Sequence, residues 1–242
     1  MIITSKSNPL IKDIIKLQSD KKFRVAEKSY VVEGIKPVKE CIAAGCDVKK
    51  IVCTQEFEGT FNGALIVSES VFNAVSTEKT PQGVLAVVSL PENKIQPPKS
   101  SCILLDRLQD PGNLGTIIRT ANAAGYNEIY AINCTDAYSP KAVRASMSGI
   151  FFVKVYTGTC EEILYALEGI PLISADMFGE DIFKFSPPEK FCLCIGNEGG
   201  GLCSEIKEKS EFKVKIPMQK TCESLNAAVS AGIAMYQLKI RK

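Results

Sequence analysis

The sequence predicts an α/β protein with a C-terminal parallel sheet domain and a small N-terminal α/β domain. Short apolar segments alternate with segments of helical periodicity, which is the order of strands and helices in α/β units. The apolar segments at 103–105 and 192–195 are continuous, as in strands of a parallel sheet that is covered on both faces. Hydrophobic residues make up 45% of the chain and charged residues 23%, which is typical of a globular protein.

The N-terminal elements follow from apolar spacing and helix capping. Asn8 and Pro9 predict the start of a helix, because proline is tolerated where its missing N–H would have no partner. A basic, exposed tip is expected at 21–24. We expect strands at 30–34, 50–53, 64–67 and 84–89, and helices at 35–44 and 70–75.

Three prolines and few apolar residues between 90 and 100 predict a stiff, extended connection. We therefore divide the chain into a domain at 1–92, a linker at 93–101 and a domain at 102–242. In the second domain we expect strands at 102–106, 128–132, 151–156, 171–175, 191–195 and 212–216. The helices expected there lie at 113–125, 140–149, 161–167 and from Ser224 to about Ile240.

Charge and cysteine content limit the classes of protein. The net charge is +2, but residues 1–50 carry eleven Lys/Arg and six Asp/Glu, so this lobe either faces a polyanion or is a solvated lysine-rich surface.

The start of the chain lacks the apolar core of a signal peptide, and no uncharged apolar stretch is long enough to span a bilayer. Ten cysteines then indicate reduced thiols and a cytoplasmic protein, with Cys192 and Cys194 buried. Without histidine or a Cys-x-x-Cys pair we expect no metal, and the usual general base is missing.

Three segments carry the residues that favour chemistry. At 195–202 an apolar strand ends in Ile-Gly-Asn-Glu-Gly-Gly-Gly-Leu, where glycines would bring backbone amides close to a ligand and Glu198 supplies a carboxylate. At 105–121 an Asp-Pro-Gly turn leads to Asn113, which is expected to cap a helix, and to Arg119 in an apolar stretch. Such an arginine either snorkels or is held by a carboxylate or phosphate.

The third segment contains Ile216-Pro217-Met218 and a last helix that Ser224 could cap. Alanine and glycine make one side of this helix slim, which allows close approach of a cofactor or a partner helix.

Common ligand-binding motifs are absent. No Gly-x-x-x-x-Gly-Lys-Ser/Thr or Gly-x-Ser-x-Gly pattern occurs, and Glu198 stands where a dinucleotide fingerprint needs its second glycine.

Together the segments resemble the three motifs of the SpoU/TrmH family, RNA ribose 2′-O-methyltransferases of the SPOUT class. The motifs in this chain are Asn113-x-Gly115-x-x-x-Arg119, Gly196-Asn197-Glu198-x-x-Gly201-Leu202, and Ile216-Pro217-Met218 with Ser224-Leu225-Asn226-Ala227. Residues 136–147 also resemble a family segment, but 148–152 read Ser-Gly-Ile-Phe-Phe where Gly-Ala-x-x-Arg is commoner. The N-terminal part resembles the family's substrate-binding domain, which is similar to ribosomal protein L30e.

The resemblance implies a SPOUT domain with a deep trefoil knot, a rare exception to unknotted topology, and an L30e-like N-terminal domain. It implies S-adenosylmethionine (AdoMet) as cofactor, bound at Gly196, Ile216 and Leu225 with Met218 nearby. Catalysis would then consist of aligning a ribose 2′-hydroxyl and stabilising the emerging alkoxide.

For the catalytic residues, the resemblance implies that Arg119 orients the hydroxyl and its phosphate, because a guanidinium stays protonated. Asn113 and Asn226 would position the hydroxyl and Arg119, and Glu198 would hold Arg119 or Asn226. The family also implies a homodimer. We expect methylation of RNA, with rRNA favoured over tRNA because of the separate N-terminal domain. The alternatives are a catalytically inactive RNA-binding protein and a base methyltransferase.

Overall fold

The computed structural model describes residues 2–222 and 224–239 and confirms the α/β class, with two sheets. The strands are β1 (Ile2–Ile3), β2 (Ser29–Glu33), β3 (Val48–Thr54), β4 (Leu65–Val67), β5 (Val84–Ser89), β6 (Cys102–Asp106), β7 (Glu128–Ile132), β8 (Lys154–Gly158), β9 (Leu172–Asp181), β10 (Cys192–Ile195) and β11 (Phe212–Lys215). The α-helices are α1 (Pro9–Ser19), α2 (Lys21–Ala26), α3 (Ile35–Ala43), α4 (Glu69–Val75), α5 (Pro111–Ala123), α6 (Pro140–Ala145), α7 (Cys160–Ala166), α8 (Ser204–Lys209) and α9 (Ala227–Lys239).

The N-terminal sheet is mixed and has the strand order β1-β4-β3-β5-β2. Strands β1, β4 and β3 are parallel, whereas β5 runs antiparallel to β3 and β2. Helix α1 begins as predicted, because Asn8 Oδ1 accepts the N–H of Leu10 and Pro9 occupies the first turn. Its buried residues Ile11 and Ile14 pack with α4 on one face of this sheet.

The C-terminal sheet is wholly parallel, with the order β11-β9-β10-β6-β7-β8. Helices α5 and α9 cover one face through residues such as Ile117 and Met235, and α7 and α8 cover the other through Ile163 and Ile206. The continuous apolar strands therefore have the two covered faces that the sequence predicts. All carboxyl ends lie at one edge of the sheet, which brings the segments after β6, β10 and β11 together.

Several element boundaries differ from the prediction. Helix α6 ends at Ala145 instead of near 149, because Met147 and Ser148 have φ angles of 44° and 68° that no right-handed helix can contain. Strand β9 continues to Asp181, and its register with β11 shifts after Lys213. The described part of α9 ends at Lys239, so the predicted end near Ile240 lies outside the described residues.

The predicted basic tip belongs to α2, where Lys21 and Lys22 are exposed as expected, but the prediction is wrong for Arg24, which is only 5% exposed. Its Nε and Nη2 donate to Asp136 Oδ2 at 2.9 and 2.7 Å, and its Nη1 donates to the carbonyl of Leu17. The rings of Tyr30 and Tyr138 lie 5.0 Å apart beside this pair. The buried ion pair and the aromatic contact thus connect the N-terminal and C-terminal parts of the chain. Buried residues of both parts form one hydrophobic core.

All ten cysteines are free thiols, and Cys192 and Cys194 are fully buried, as predicted. Within 2–222 and 224–239, no helix has the length and apolar character needed to cross a bilayer.

Replacing Asp136 by alanine should lower the free energy of unfolding by about 3–5 kcal/mol, because Arg24 would remain buried without its counter-charge. The control is Glu40→Ala, which breaks the exposed pair with Lys36 and should cost less than about 1 kcal/mol. Urea denaturation measures both losses. Losses of equal size would contradict the stabilising role of the Arg24–Asp136 pair.

Candidate active site

The three motif-bearing segments meet at the carboxyl edge of the parallel sheet. One follows β6 and enters α5, one follows β10, and one connects β11 to α9. Ligands of open parallel sheets bind outside the carboxyl ends of the strands. The side chains of these three segments are therefore the first candidates for a functional site.

The glycine-rich segment forms a closed loop. Asn197 N–H donates to the Gly201 carbonyl at 3.1 Å, and Gly201 N–H donates to the Asn197 carbonyl at 3.0 Å. A Cβ on Gly196 would lie 2.2 Å from the carbonyl carbon of Gly201, so only glycine fits where the chain returns past itself. The loop therefore has one tightly defined backbone path.

The prediction that the loop amides face a ligand is wrong for two of the glycines. The N–H groups of Gly199 and Gly200 donate to Asn197 Oδ1 at 2.9 and 3.0 Å. The side chain of Asn197 thus satisfies donors inside the loop, and its Nδ2 donates to the carbonyl of Arg107. These amides stabilise the loop instead of offering an anion-binding surface.

Helix α5 is capped by Asp110 and not, as predicted, by Asn113. Asp110 Oδ1 accepts the N–H groups of Gly112 and Asn113, and Pro111 occupies the first helical position. A hydrogen bond from Lys141, followed by that from Gly112, lowers the pKa of Asp110, which keeps the cap ionised. Because Asp110 caps the helix, the side chain of Asn113 is available for other contacts.

Asn113 joins the three segments by hydrogen bonds. Its Nδ2 donates to Glu198 Oε1 at 2.9 Å, and its Oδ1 accepts Nδ2 of Asn226 at 3.0 Å. Asn226 Oδ1 in turn accepts the N–H groups of Ala228 and Val229. The cap of α9 is therefore Asn226 and not Ser224. The structure thus confirms that the three predicted segments meet.

Arg107 contributes to the site, although no sequence motif assigned it a role. It lies at φ 56°, and its Nε and Nη2 each donate to the buried carboxylate of Asp106 at 3.0 Å. Nη2 also donates to the Gly201 carbonyl at 3.1 Å, and Asp106 Oδ2 accepts the N–H of Cys203. Hydrogen bonding to Asp106 raises the pKa of Arg107 above its ordinary value. The Asp-Arg pair after a buried strand was the available signal, but nothing in the sequence marks the left-handed backbone.

Arg119 lies outside the Asn113 network, the hydrogen-bonded series of Glu198, Asn113 and Asn226. It is six residues along α5 from Asn113, or about 9 Å of helix rise, and its side chain is exposed. Within the described part of the chain its side chain makes neither a hydrogen bond nor an ion pair. Its backbone is packed closely, because a Cβ on Gly149 would lie 3.1 Å from Arg119 Cα.

The predicted cofactor residues lie on two sides of β9. Gly196 follows β10 and Ile216 follows β11, and β9 is the strand between these two. Ile216 and Leu225 are half-buried, whereas Met218 is 40% exposed. Apolar side chains and a glycine backbone therefore border the same edge, which is a surface suited to a planar, partly apolar ligand.

Comparisons with known proteins identify the family of the chain. Residues 100–236 match the SpoU rRNA Methylase family, and residues 8–86 match the MRM3-like substrate binding domain. The chain is 33% identical to the 23S rRNA (guanosine(2553)-2′-O)-methyltransferase RlmP of Bacillus subtilis, over 98% of both chains. It is 28% identical to the 23S rRNA (uridine(2479)-2′-O)-methyltransferase of Streptomyces viridochromogenes, over 90% of this chain and 84% of that protein.

Among solved structures, the AdoMet-bound rRNA methyltransferase from Sinorhizobium meliloti superposes with a TM-score of 0.88 at 29% identity, over 98% of this chain and 96% of that one. AviRb from Streptomyces viridochromogenes in complex with AdoMet gives a TM-score of 0.86 at 25% identity, over 95% and 96%. The matched motif region spans more than half of the chain and contains all three segments of the Asn113 network. The chain belongs to the SpoU rRNA methylase family.

Proposed function

We propose that this chain is an AdoMet-dependent methyltransferase that acts on a ribose 2′-hydroxyl of structured RNA, with rRNA as the favoured substrate. The observation that carries the proposal is the hydrogen-bonded series Glu198–Asn113–Asn226, which draws all three family motifs into one site. The names of the relatives in Bacillus subtilis and Streptomyces viridochromogenes support 23S rRNA as the substrate class.

The residues at the sheet edge fit AdoMet. Gly196 would give a backbone surface without a side chain, and Ile216 and Leu225 would enclose the adenine, with Met218 at the rim. When bound, AdoMet supplies a methyl group that its sulfonium already activates. The remaining task of the protein is to align the acceptor oxygen and stabilise negative charge on it.

We assign the alignment of the acceptor to Arg119. A permanently charged guanidinium can donate to the 2′-oxygen and to the adjacent phosphate, and it stabilises the alkoxide as the hydroxyl proton leaves. Asn113 and Asn226 would position the hydroxyl. Glu198 accepts a hydrogen bond from Asn113, and not from Arg119 or Asn226 as predicted, so it would hold Asn113 in place.

Arg119 would do this in the site of a second subunit. Its exposed position away from Asn113, together with its lack of partners in the described part of the chain, supports a homodimer. Helix α9 offers a surface for that contact. Val229 and Tyr236 are 50% and 41% exposed at a spacing of seven residues, which places them on one side of the helix. Thr120 lies against Gly232 of α9, so this surface borders Arg119.

The family resemblance also supports the finer features of the proposal. These are a deep trefoil knot in a SPOUT domain at 102–242, an L30e-like substrate-binding domain at 1–92 and a linker at 93–101. The free cysteines favour a reducing compartment, which we propose is the cytoplasm.

The proposed activity predicts transfer of label from methyl-labelled AdoMet to a 23S rRNA transcript, with an alkali-resistant linkage at the modified nucleotide. Arg119→Ala should lower kcat/KM by about 100-fold or more, because charge stabilisation in the transition state would be lost. Its affinity for AdoMet should remain close to that of the wild type.

Arg119→Lys is the matched control, since it keeps the charge and loses the planar fork, and should retain intermediate activity. A tRNA transcript tests the other substrate class, and label on tRNA alone would overturn the rRNA preference. Unchanged turnover in Arg119→Ala would refute the role of Arg119. An alkali-sensitive product would indicate base methylation, and absence of labelling on both RNAs would indicate an inactive RNA-binding protein.

Mixing two inactive variants tests whether Arg119 acts across subunits. Gly196→Val should block the cofactor surface, because its side chain would collide with Gly201. In a mixed dimer with Arg119→Ala, one site would combine an intact Gly196 with the Arg119 of the neighbouring subunit. Random mixing should then restore about one quarter of wild-type activity. No recovery, with mixed dimers present by mass spectrometry, would place Arg119 in its own subunit's site.

A further inference from the structure

A cleft of about 310 Å³ lies beside Arg119, outside the site described above. It is bordered by the end of α3, the C-terminal part of α5 and the turn that follows α6. Met147 and Phe152 contribute apolar surface and are 57% and 53% exposed. Ala43 and Ala44, whose side chains are short, line one side of the cleft. The remaining lining residues include one carboxylate and one amide.

The turn that presents Met147 and Phe152 is held firmly. Met147 and Ser148 adopt the left-handed region in succession, which costs each residue about 1 kcal/mol or more. Gly149 then packs against the backbone of Ile118 and Arg119, with a Cβ position 3.2 and 3.1 Å from their atoms. The surrounding packing therefore maintains an unfavourable backbone that keeps two large apolar side chains at the surface.

The polar side chains that line the cleft are those of Glu40, Asn122 and Ser148, of which Glu40 is charged. A carboxylate accepts hydrogen bonds from two adjacent donors, and among the RNA bases only guanine presents two on one edge, at N1 and N2. Adenine presents a donor beside an acceptor there, which would repel the carboxylate. Lys36 Nζ lies 3.7 Å from Glu40 Oε1 and is largely exposed, so it can reach a phosphate of the same nucleotide.

We propose that this cleft binds an unpaired guanine of the substrate RNA. The base stacks on Phe152 and Met147, and Glu40 accepts its N1–H and N2–H groups. Unpaired bases are commonly recognised by aromatic stacking and by hydrogen bonds to their Watson–Crick edge. Asn122 is three residues from Arg119 on α5, so the guanine lies next to the group that orients the ribose. This inference rests on the proposed function, because that function makes RNA the ligand.

The absence of tryptophan from the chain allows a direct test by fluorescence. In Phe152→Trp the only indole stands in the cleft. The single-stranded RNA UUGUU should quench it, and UUAUU and the same oligomer with an abasic central ribose should bind at least about fivefold more weakly. Tyr165→Trp, on exposed α7, is the matched control and should not respond. Equal affinity for the three RNAs, or an equal response at position 165, would overturn the proposal.

A second measurement does not depend on the tryptophan variant. With dye-labelled UUGUU and UUAUU, Glu40→Gln should reduce the guanine preference about fivefold and leave UUAUU binding unchanged. Glu161→Gln, an exposed carboxylate on α7, should keep the preference. An unchanged preference in Glu40→Gln would overturn the assignment. Loss of the dimer in Phe152→Ala would also overturn it, since the cleft would then be a subunit contact.

These binding assays contain no AdoMet, so they separate the two proposals. Ribose methylation without a guanine preference would refute the cleft alone. A guanine preference without methylation would refute the catalytic proposal and leave the cleft as an RNA-binding site.

Discussion

The side-chain amide of Asn113 is the contact on which the candidate site depends. At one end of its series Glu198 Oε1 accepts a hydrogen bond, and at the other end the first N–H groups of α9 can only donate them. These two ends determine the orientation of both intervening amides, so Asn113 donates to Glu198 and accepts from Asn226. Three chain segments that are distant in sequence are thereby held together by side-chain hydrogen bonds. The described residues contain no disulfide and no group of three or more residues that could hold a metal ion.

The surroundings keep this series in position. The buried Asp106 binds Arg107 and the N–H of Cys203, so the end of β6 is tied to both sides of the glycine loop. Gly196 and Asn197 define the path of that loop by packing and internal hydrogen bonds. Supporting contacts of this kind hold the side chains of a functional site to within about 0.5 Å of their working positions. The Arg24–Asp136 pair similarly fixes the N-terminal unit, whose α3 borders the proposed guanine cleft.

Much of the fold could be predicted because periodicity and continuous apolar strands report which faces are buried. The meeting of the three segments also follows from parallel strands, whose carboxyl ends share an edge. Local competition for hydrogen bonds could not be predicted. Asn113 and Asp110 are both good helix caps, and only the three-dimensional position of Glu198 decides which of them is free. Likewise, the burial of Arg24 depends on Asp136, 112 residues away, and the left-handed backbone of Arg107 has no sequence signal.

The most direct test of the central claim is a double-mutant cycle between Asn113 and Asn226, read as kcat/KM for ribose methylation of 23S rRNA. Asn226→Asp retains an oxygen to cap α9 and removes the donor to Asn113. We expect a loss of about tenfold or more in the wild-type background and a clearly smaller loss in the Asn113→Ala background, because the contact is already absent there. Equal losses in both backgrounds would show that Asn226 acts independently of Asn113, and would contradict the role of their hydrogen bond.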